Sequence, residues 1–231
     1  MTLVENELKN AYIGDWRWRL STDFTQYTSL AEIQTQWWTG ITNISSTAPQ
    51  YSYWSSWIGV RSTSTNQYGG IYVKLPAKIT NQNKIIMEYT GSVSSSESGV
   101  WASLCTNPTP NLTTNNQTEF TYSQSYRNSA TGQWLWTSKS VNGTKTRGSW
   151  NSNREVSGSA GIYSAKIVID LPNSTAEWIC TSPSWMAYNM ENSISSAWME
   201  CIIGTEYFII WGVDYSSWVT TYIKSASIAV I

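Results

Sequence analysis

The chain has 231 residues, a formal net charge of −1 and only 13% charged residues, and it contains no histidine. A near-neutral chain without a Lys/Arg cluster argues against nucleic acid or an anionic membrane surface as the partner. The lack of histidine excludes Ser-His-Asp and Cys-His catalysis and removes the most common zinc ligand. Its three cysteines lie far apart in sequence, which disfavours a metal knuckle or a redox pair. We therefore expect neither a cofactor nor a metal.

The first predicted element is a helix over residues 2–13, which begins at Thr2 and ends at Gly14. We assign residues 1–15 to this N-terminal helical segment and residues 16–231 to a single domain. The first residues do not have the charge and hydrophobicity pattern of a signal peptide, and no apolar stretch has the length of a membrane span. We therefore expect a protein that is made in the cytoplasm and does not insert into membranes.

A second helical turn is predicted over Ser29–Trp38, with Ser29 as the N-cap and Glu32 at the capping-box position. A helix of this register turns one side toward the core. The side chains expected on that side are Leu30, Ile33, Trp37 and Trp38.

From residue 71 onward, runs of β-branched and aromatic residues alternate with clusters of Gly, Pro, Asn and Ser, which is typical of β-strands. Tight turns are predicted at Asn142-Gly143 and at Pro172-Asn173. With about ten to twelve strands, the sequence predicts an all-β, two-sheet antiparallel β-sandwich. The predicted strands include 71–75, 84–93, 100–105, 119–126, 133–141, 162–171, 176–181, 207–213 and 222–231.

Several of these segments together resemble a known fold family. The segments are WRWRLSTDF, GGIYVKL, KIIMEYTGSV, the hairpin AKIVIDLPNSTAEWIC and the closing YFIIWGVDYSSWVTTYIKSASIAVI. Their order and their IxID-turn-x-W hairpin resemble the concanavalin A-like, laminin-G-like jelly roll, over about residues 16–231. The resemblance implies a sugar-binding or particle-attached recognition domain.

The opening ENELKNAYIGD also resembles N-terminal segments of phage tail-fibre and receptor-binding proteins that carry such sandwiches. This resemblance implies a place on a virion or another extracellular particle. The glucanases of this fold class carry a Glu-x-Asp-x-Glu strand, and the chain has no such strand. The resemblance therefore does not extend to their catalytic residues.

Aromatic residues are the strongest candidates for a binding site, because the chain has 15 Trp and 14 Tyr but only 3 Phe. Rings with a polar atom suit a wet surface or an interface better than a dry core. Tryptophans within strand runs, such as Trp178 and Trp211, are expected in the core, as are Trp134 and Trp136. Tryptophans beside Ser, Gly, Pro and Asn are expected in loops or, for the segment YSYWSSW, at a sheet edge, where they either bind a ligand or pack as anchors. The predicted ligand-binding residues are Tyr53, Trp54, Trp57, Trp150, Trp185 and Trp218.

We interpret the chain as a non-enzymatic carbohydrate-binding or structural recognition domain of a phage-type particle. Its expected partner is a neutral glycan or cell-surface polysaccharide, and a homo-oligomer such as a trimer fits this role. One alternative is a glycoside hydrolase or lyase on the same fold, which needs two carboxylates around one cleft. Asp170 and Glu177 flank one turn and are the first candidates for that pair. The other alternative is a purely structural subunit whose tryptophans are covered by neighbouring subunits.

Overall fold

The structure of the protein is a computed structural model. It describes residues 18–40, 50–54, 57–61, 67–93, 98–106, 118–128, 134–144, 147–151, 161–181, 185–191, 199, 202–214 and 220–231. The predicted helix over residues 2–13 lies outside these ranges. No helix within them is long and apolar enough to cross a membrane.

The described residues form one short α-helix, α1 (Leu30–Gln34), one 3-10 turn (Phe24–Gln26) and fifteen β-strands. The strands are β1 (Trp18–Asp23), β2 (Thr39–Gly40), β3 (Gln50–Trp54), β4 (Trp57–Arg61), β5 (Gln67–Lys74), β6 (Lys84–Val93), β7 (Ser98–Cys105), β8 (Thr118–Asn128), β9 (Trp134–Thr144), β10 (Arg147–Asn151), β11 (Gly161–Asp170), β12 (Thr175–Thr181), β13 (Trp185–Glu191), β14 (Tyr207–Asp214) and β15 (Thr220–Val230). The all-β prediction is confirmed.

All strand pairs within these ranges are antiparallel, and they follow the order β2-β5-β14-β7-β10-β9-β8-β13-β12-β11-β6-β15-β4-β3. β1 pairs with the C-terminal half of β15, and β4 pairs with its N-terminal half. β14 contacts β15 although many strands separate the two along this path. The hydrogen-bonded path therefore folds over on itself into two sheets. We call β2, β5, β14 and β7 the front sheet, and β12, β11, β6, β15, β1, β4 and β3 the back sheet.

The core lies between the two sheets and is filled by alternate residues of their strands. Phe208 and Ile210 of β14 are fully buried, and so are Ile85 and Met87 of β6, and all four belong to one hydrophobic cluster. Because successive side chains of a strand point to opposite faces, this cluster identifies the inner face of each sheet. A fully buried side chain of this size stabilises the fold by about 1.5–3 kcal/mol through the hydrophobic effect. Alternation of apolar residues is thus the main local cause of the fold.

Helix α1 begins as the sequence predicts. The hydroxyl of Ser29 accepts a hydrogen bond from the backbone N–H of Glu32 at 3.2 Å. The carboxylate of Glu32 in turn accepts the backbone N–H of Thr28 at 2.7 Å. These bonds satisfy donors that the first turn of a helix leaves without intrahelical partners. Hydrogen bonds to Thr28 also hold the pKa of Glu32 below its usual value.

Trp37 and Trp38 follow helix α1, and both were expected in the core, but only one of them is buried. Trp38 is fully buried, and its indole Nε1–H donates to the hydroxyl of Thr22 at 2.9 Å. Its ring packs edge-on against Phe24, with centroids 5.4 Å apart. Trp37 is instead 59% exposed and has a φ of 72°. The expectation for Trp37 is wrong, because the left-handed turn at this residue carries its side chain away from the core.

The two predicted hairpin turns have different outcomes. Pro172 and Asn173 form the turn between β11 and β12, in which Asp170 Oδ1 accepts hydrogen bonds from the backbone and side-chain nitrogens of Asn173. The turn predicted at Asn142-Gly143 is wrong. Both residues are paired within β9, and β9 continues to Thr144 before the chain passes to β10.

Candidate functional site

The outer face of the front sheet carries a group of aromatic positions. Phe208 and Ile210 face the core, so Tyr207, Ile209 and Trp211 occupy the outer positions of β14. In the neighbouring strands, Tyr72 lies opposite Ile209, and Trp101 lies opposite Trp211. Residues opposite one another on paired strands share a face. We call Tyr72 and Tyr207, together with the positions of Trp101 and Trp211, the front platform.

The two tyrosines of the front platform are in direct contact. Their ring centroids are 5.9 Å apart and their planes meet at 75°, an edge-to-face arrangement that aromatic quadrupoles favour. Both side chains are half-buried, so each ring is held in place while part of its surface meets solvent. The arrangement presents pre-positioned aromatic surface outside the core.

Charged groups border the tyrosines without giving the platform a net charge. The ammonium of Lys74 lies 5.8 Å from the ring centroid of Tyr207, within the range of a cation–π contact. It also lies 4.0 Å from a carboxylate oxygen of Glu206. Because the lysine side chain is 63% exposed, this ion pair contributes little to stability. Its effect is to balance the charge at one end of the platform.

Part of the platform is covered by the chain itself. Ile209 is fully buried although its position is on the outer face, and it is not a member of the core cluster. By register, it is flanked by Tyr72 across the strand pair and by Tyr207 along β14. Among the described side chains of the platform, solvent-accessible surface therefore lies on the outward parts of the two tyrosines.

The outer face of the back sheet carries a second feature, a groove lined mainly by hydroxyl groups. Its volume is about 380 Å³, within the range of small-molecule sites. The hydroxyls of Thr90 and Ser164 are 3.1 Å apart and hydrogen-bonded to each other. Because the lining side chains are small, Ala165 and Ala226, which face the core, also reach the groove floor. The hydroxyl side chains of this back groove are Ser21, Thr90, Ser164, Thr181, Ser225 and Ser227.

An ion pair crosses the middle of the back groove. Lys166 Nζ lies 3.2 Å from Glu88 Oε1, and the hydroxyl of Ser227 donates to Glu88 Oε2 at 3.3 Å. Beyond this pair, the groove continues into a more apolar cavity of about 360 Å³ bordered by Trp18, Ile86 and other residues. The back groove is thus polar with balanced charges.

The six residues predicted to bind a ligand do not all lie on the same face of the sheets. Trp54 and Trp57 end β3 and begin β4, and they lie directly opposite each other. Ile58, the next residue, is a core residue, so the Trp54 and Trp57 positions are on the outer face of the back sheet. Tyr53 lies opposite Ile58 and so occupies a position on the inner face.

The remaining predicted residues do not lie at described outer-face positions. Trp150 lies opposite Ala102, a core residue, which places its position on the inner face. Trp185 occupies an inner-face position too, since its neighbour Met186 is opposite Thr181 of the back groove. Trp218 lies outside the described residues. The predicted ligand-binding role of all six residues stays a prediction.

A loop position is wrong for four of these tryptophans, but the hairpin of β3 and β4 that holds Trp54 and Trp57 lies at the end of the strand order, which fits the predicted sheet edge. Aromatic residues and serine both fit a pleated strand, so segments such as YSYW extend the sheet instead of interrupting it. Conversely, Trp211 was expected in the core, and the pairing register puts its position on the front platform. The sequence signal that could have indicated this is the alternation of side chains along a strand, because Trp211 follows Ile210, an apolar residue that is buried. The four tryptophans that lie in strands are Trp54, Trp57, Trp150 and Trp185.

Of the two carboxylates of the hydrolase alternative, Asp170 is paired with a lysine. Asp170 Oδ2 lies 3.4 Å from Lys84 Nζ. Burial raises the pKa of Asp170, but hydrogen bonds from Asn173 and the charge of Lys84 outweigh it and lower the pKa overall. Asp170 lies opposite Thr175 and Glu177 opposite Val168, so the two positions are diagonal neighbours on the same face of β11 and β12. A carboxylate with a lowered pKa is a poor general acid.

Metal ligands are also not gathered in the part of the chain that the structure describes. No three His, Cys, Asp or Glu residues there lie close enough together to hold a metal ion. Calcium needs six or more oxygen ligands at one place. The described residues thus supply an aromatic surface on the front sheet and a hydroxyl-lined groove on the back sheet.

The chain matches no protein-family profile and no curated protein sequence. Its structure is similar to lectin II from Ulex europaeus, with a TM-score of 0.55, 9% identity and coverage of 91% of this chain and 98% of the lectin. The lectin from Bauhinia forficata in complex with GalNAc gives a TM-score of 0.52 and 12% identity, covering 93% and 99%. The fold is a lectin-like β-sandwich. The predicted concanavalin A-like fold is therefore confirmed.

A third similar structure is the carbohydrate recognition domain of Emp47p. It gives a TM-score of 0.53 at 9% identity and covers 93% of this chain and 95% of that domain. At these identities the likeness concerns the fold alone. In all three comparisons the likeness extends over more than 90% of this chain and of the other structure.

Proposed function

We propose that this chain is a non-enzymatic carbohydrate-binding domain that takes neutral glycans. The observation that carries the proposal is the front platform, where Tyr72 and Tyr207 form an edge-to-face pair outside the core. Such rings suit sugars because the C–H groups of a pyranose form an apolar face that packs on the electron-rich face of an aromatic ring. The hydroxyls of the two tyrosines add hydrogen-bonding groups at the rim.

The charge balance of the chain and of the front platform supports a neutral ligand. The chain has 14 basic and 15 acidic residues, and Lys74 beside the front platform is balanced by Glu206. An anionic glycan would favour an excess of Lys and Arg around its site. By register, the positions of Ser103 and Asn151 lie beside the platform on the same face, opposite Ile209 and Trp101, and both residue types are neutral and polar. Neutral donors and acceptors of this kind match the hydroxyl groups of a sugar.

The comparisons support the proposal through the fold. Proteins that are called lectins and a carbohydrate recognition domain share this sandwich over nearly its whole length. The same fold can carry other functions, so the aromatic surface and not the fold is the stronger argument. The paired state of Asp170 and Glu88 with lysines further favours binding over glycan cleavage.

We also propose that the domain is displayed on a phage-type particle, in a tail fibre or receptor-binding protein, outside the cell that makes it. The support is the resemblance of the opening ENELKNAYIGD to segments of such proteins. A homotrimer suits this role, since several weak sites on one particle add up to strong attachment. Light scattering of the intact protein measures this directly, and a monomer at micromolar concentration argues against the trimer.

Glycan binding is tested on an array of neutral hexose and N-acetylhexosamine oligosaccharides. We expect the wild type to bind a subset of them, and the double variant Tyr72→Ala/Tyr207→Ala to lose at least tenfold in affinity, about 1.4 kcal/mol. Variants Tyr72→Phe and Tyr207→Phe keep the rings and separate ring contact from hydroxyl contact. Ile162→Ala, which removes an exposed side chain from the back sheet, is the matched control.

The sequence prediction for Trp54 and Trp57 is tested on the same array. If the double variant Trp54→Ala/Trp57→Ala folds and loses binding while the tyrosine variants keep it, the glycan binds the back sheet instead. Absence of binding by the wild type across the array contradicts the proposed function. In that case a stable oligomer in light scattering favours the purely structural subunit.

A further inference from the structure

Trp37 differs from every other tryptophan whose side chain the structure describes. Its side chain is 59% exposed, whereas the adjacent Trp38 is fully buried. Its backbone has a φ of 72°, the left-handed region that a bulky residue seldom occupies. Exposure of one large apolar side chain is ordinary, but exposure together with an unfavourable backbone conformation is not.

The local structure shows why the left-handed conformation occurs here. Helix α1 ends just before, and the backbone N–H of Trp37 donates to the carbonyl of Gln34 at 3.1 Å. Helices often end with one residue in the left-handed conformation, and glycine is the residue that adopts it without steric cost. A tryptophan at this position therefore opposes stability. Selection for stability alone favours glycine or asparagine here.

The segment around Trp37 is held rigidly. Trp38 is anchored in the core by its ring contact with Phe24 and by its hydrogen bond to Thr22. Thr39 then enters β2 and lies opposite Tyr72 in the front sheet. Two residues of extended chain span about 7 Å, so Trp37 is attached next to the front platform. An exposed indole on such an anchored segment loses little conformational freedom when it binds a ligand.

We propose that Trp37 is a sugar-stacking residue that extends the front platform across its β2 edge. The proposal rests on the proposed function and adds to it a binding residue at this edge. The ligand class is a neutral oligosaccharide, whose ring packs on the indole while a neighbouring sugar contacts Tyr72. Such a site requires a ligand of at least two sugar units. The left-handed turn serves to direct the indole outward, which a relaxed turn would not do.

The test compares Trp37→Gly, Trp37→Tyr and the control Ile162→Ala, which removes a side chain that is 54% exposed on the other sheet. The probes are cellotetraose, maltotetraose and chitotetraose, titrated by calorimetry, with the matching disaccharides and monosaccharides. We expect Trp37→Gly to melt at or above the wild-type temperature, because glycine accepts the left-handed turn. We expect its affinity for the tetrasaccharide that binds best to fall at least tenfold, with little change for the monosaccharide.

Trp37→Tyr should retain affinity within about threefold, since it keeps an aromatic ring, and Ile162→Ala should bind as the wild type does. If Trp37→Gly binds all probes like the wild type while Tyr72→Ala/Tyr207→Ala does not, the inference about Trp37 is wrong and the proposed function stands. If the wild type binds none of the probes and nothing on the neutral array, both are wrong. A lower melting temperature of Trp37→Gly also contradicts the inference, because it assigns the residue a structural role.

Discussion

The buried hydrogen bond between Trp38 and Thr22 connects the helical turn to β1. Both residues are buried, and the indole nitrogen lies 2.9 Å from the threonine hydroxyl. Thr22→Val keeps the shape of the side chain and removes the acceptor. The indole N–H then stays in the core without a partner, which costs about 1–3 kcal/mol. For a chain of this length, a loss of about 2 kcal/mol lowers the melting temperature by about 4–8 °C.

The loss is measured by urea denaturation of Thr22→Val and by calorimetry. In the background of Trp38→Phe, which has no indole donor, the same substitution should cost much less, so a double-mutant cycle isolates the hydrogen bond. Thr181→Val at an exposed position of β12 is the matched control and should change stability by less than about 0.5 kcal/mol. If Thr22→Val is as harmless as this control, the hydrogen bond does not anchor the segment. The hydrogen bond between Trp38 and Thr22 would then not explain how the neighbouring Trp37 is held in place.

Two further predictions concern local structure. The pKa of Asp170 is lowered from 3.8, so its ionised form contributes stability that is complete above about pH 4 and is lost as the pH falls further. Asp170→Asn should therefore flatten the fall of unfolding free energy as the pH drops below about 4, and an unchanged pH profile would argue against the contacts with Asn173 and Lys84. Ser29→Ala removes the N-cap of α1 and should cost about 1 kcal/mol in urea denaturation, whereas Ser29→Asp should cost much less. Equal stability of the alanine and aspartate variants would show that the cap is not needed.

The sequence predicted the elements that depend on local chemistry. The cap at Ser29 and the turn at Pro172-Asn173 follow from hydrogen bonds between residues a few positions apart. The strands with alternating apolar residues, such as β6 and β11, follow from the same kind of local pattern. Asn142-Gly143 is the exception, because pairing of β9 with β8 and β10 carries the strand past a good turn signal.

The sequence predicted that the candidate site is aromatic, but it did not predict which residues form it. The excess of Trp and Tyr over Phe indicated an aromatic surface, and the structure has one at Tyr72 and Tyr207. Neither tyrosine was singled out, because each lies within a predicted strand and the criterion for a binding residue was a position beside small polar residues. The loop criterion selected Trp150 and Trp185 instead, whose register positions are on the inner face. Proximity to serine and glycine is thus a poor guide to exposure in a chain whose strands themselves contain serine and glycine.

The amino-acid sequence by itself determined that the chain is an antiparallel sandwich of low charge, because alternation, caps and turns act between residues close in sequence. Only the tertiary structure decided which aromatic residues lie outside the core and which of them are neighbours. Tyr72 and Tyr207 are 135 positions apart, and they meet because β5 pairs with β14 in one particular register. A shift of that register by one residue would turn every side chain of the strand to the other face. The register is set by how the whole core packs, and no local pattern contains that information.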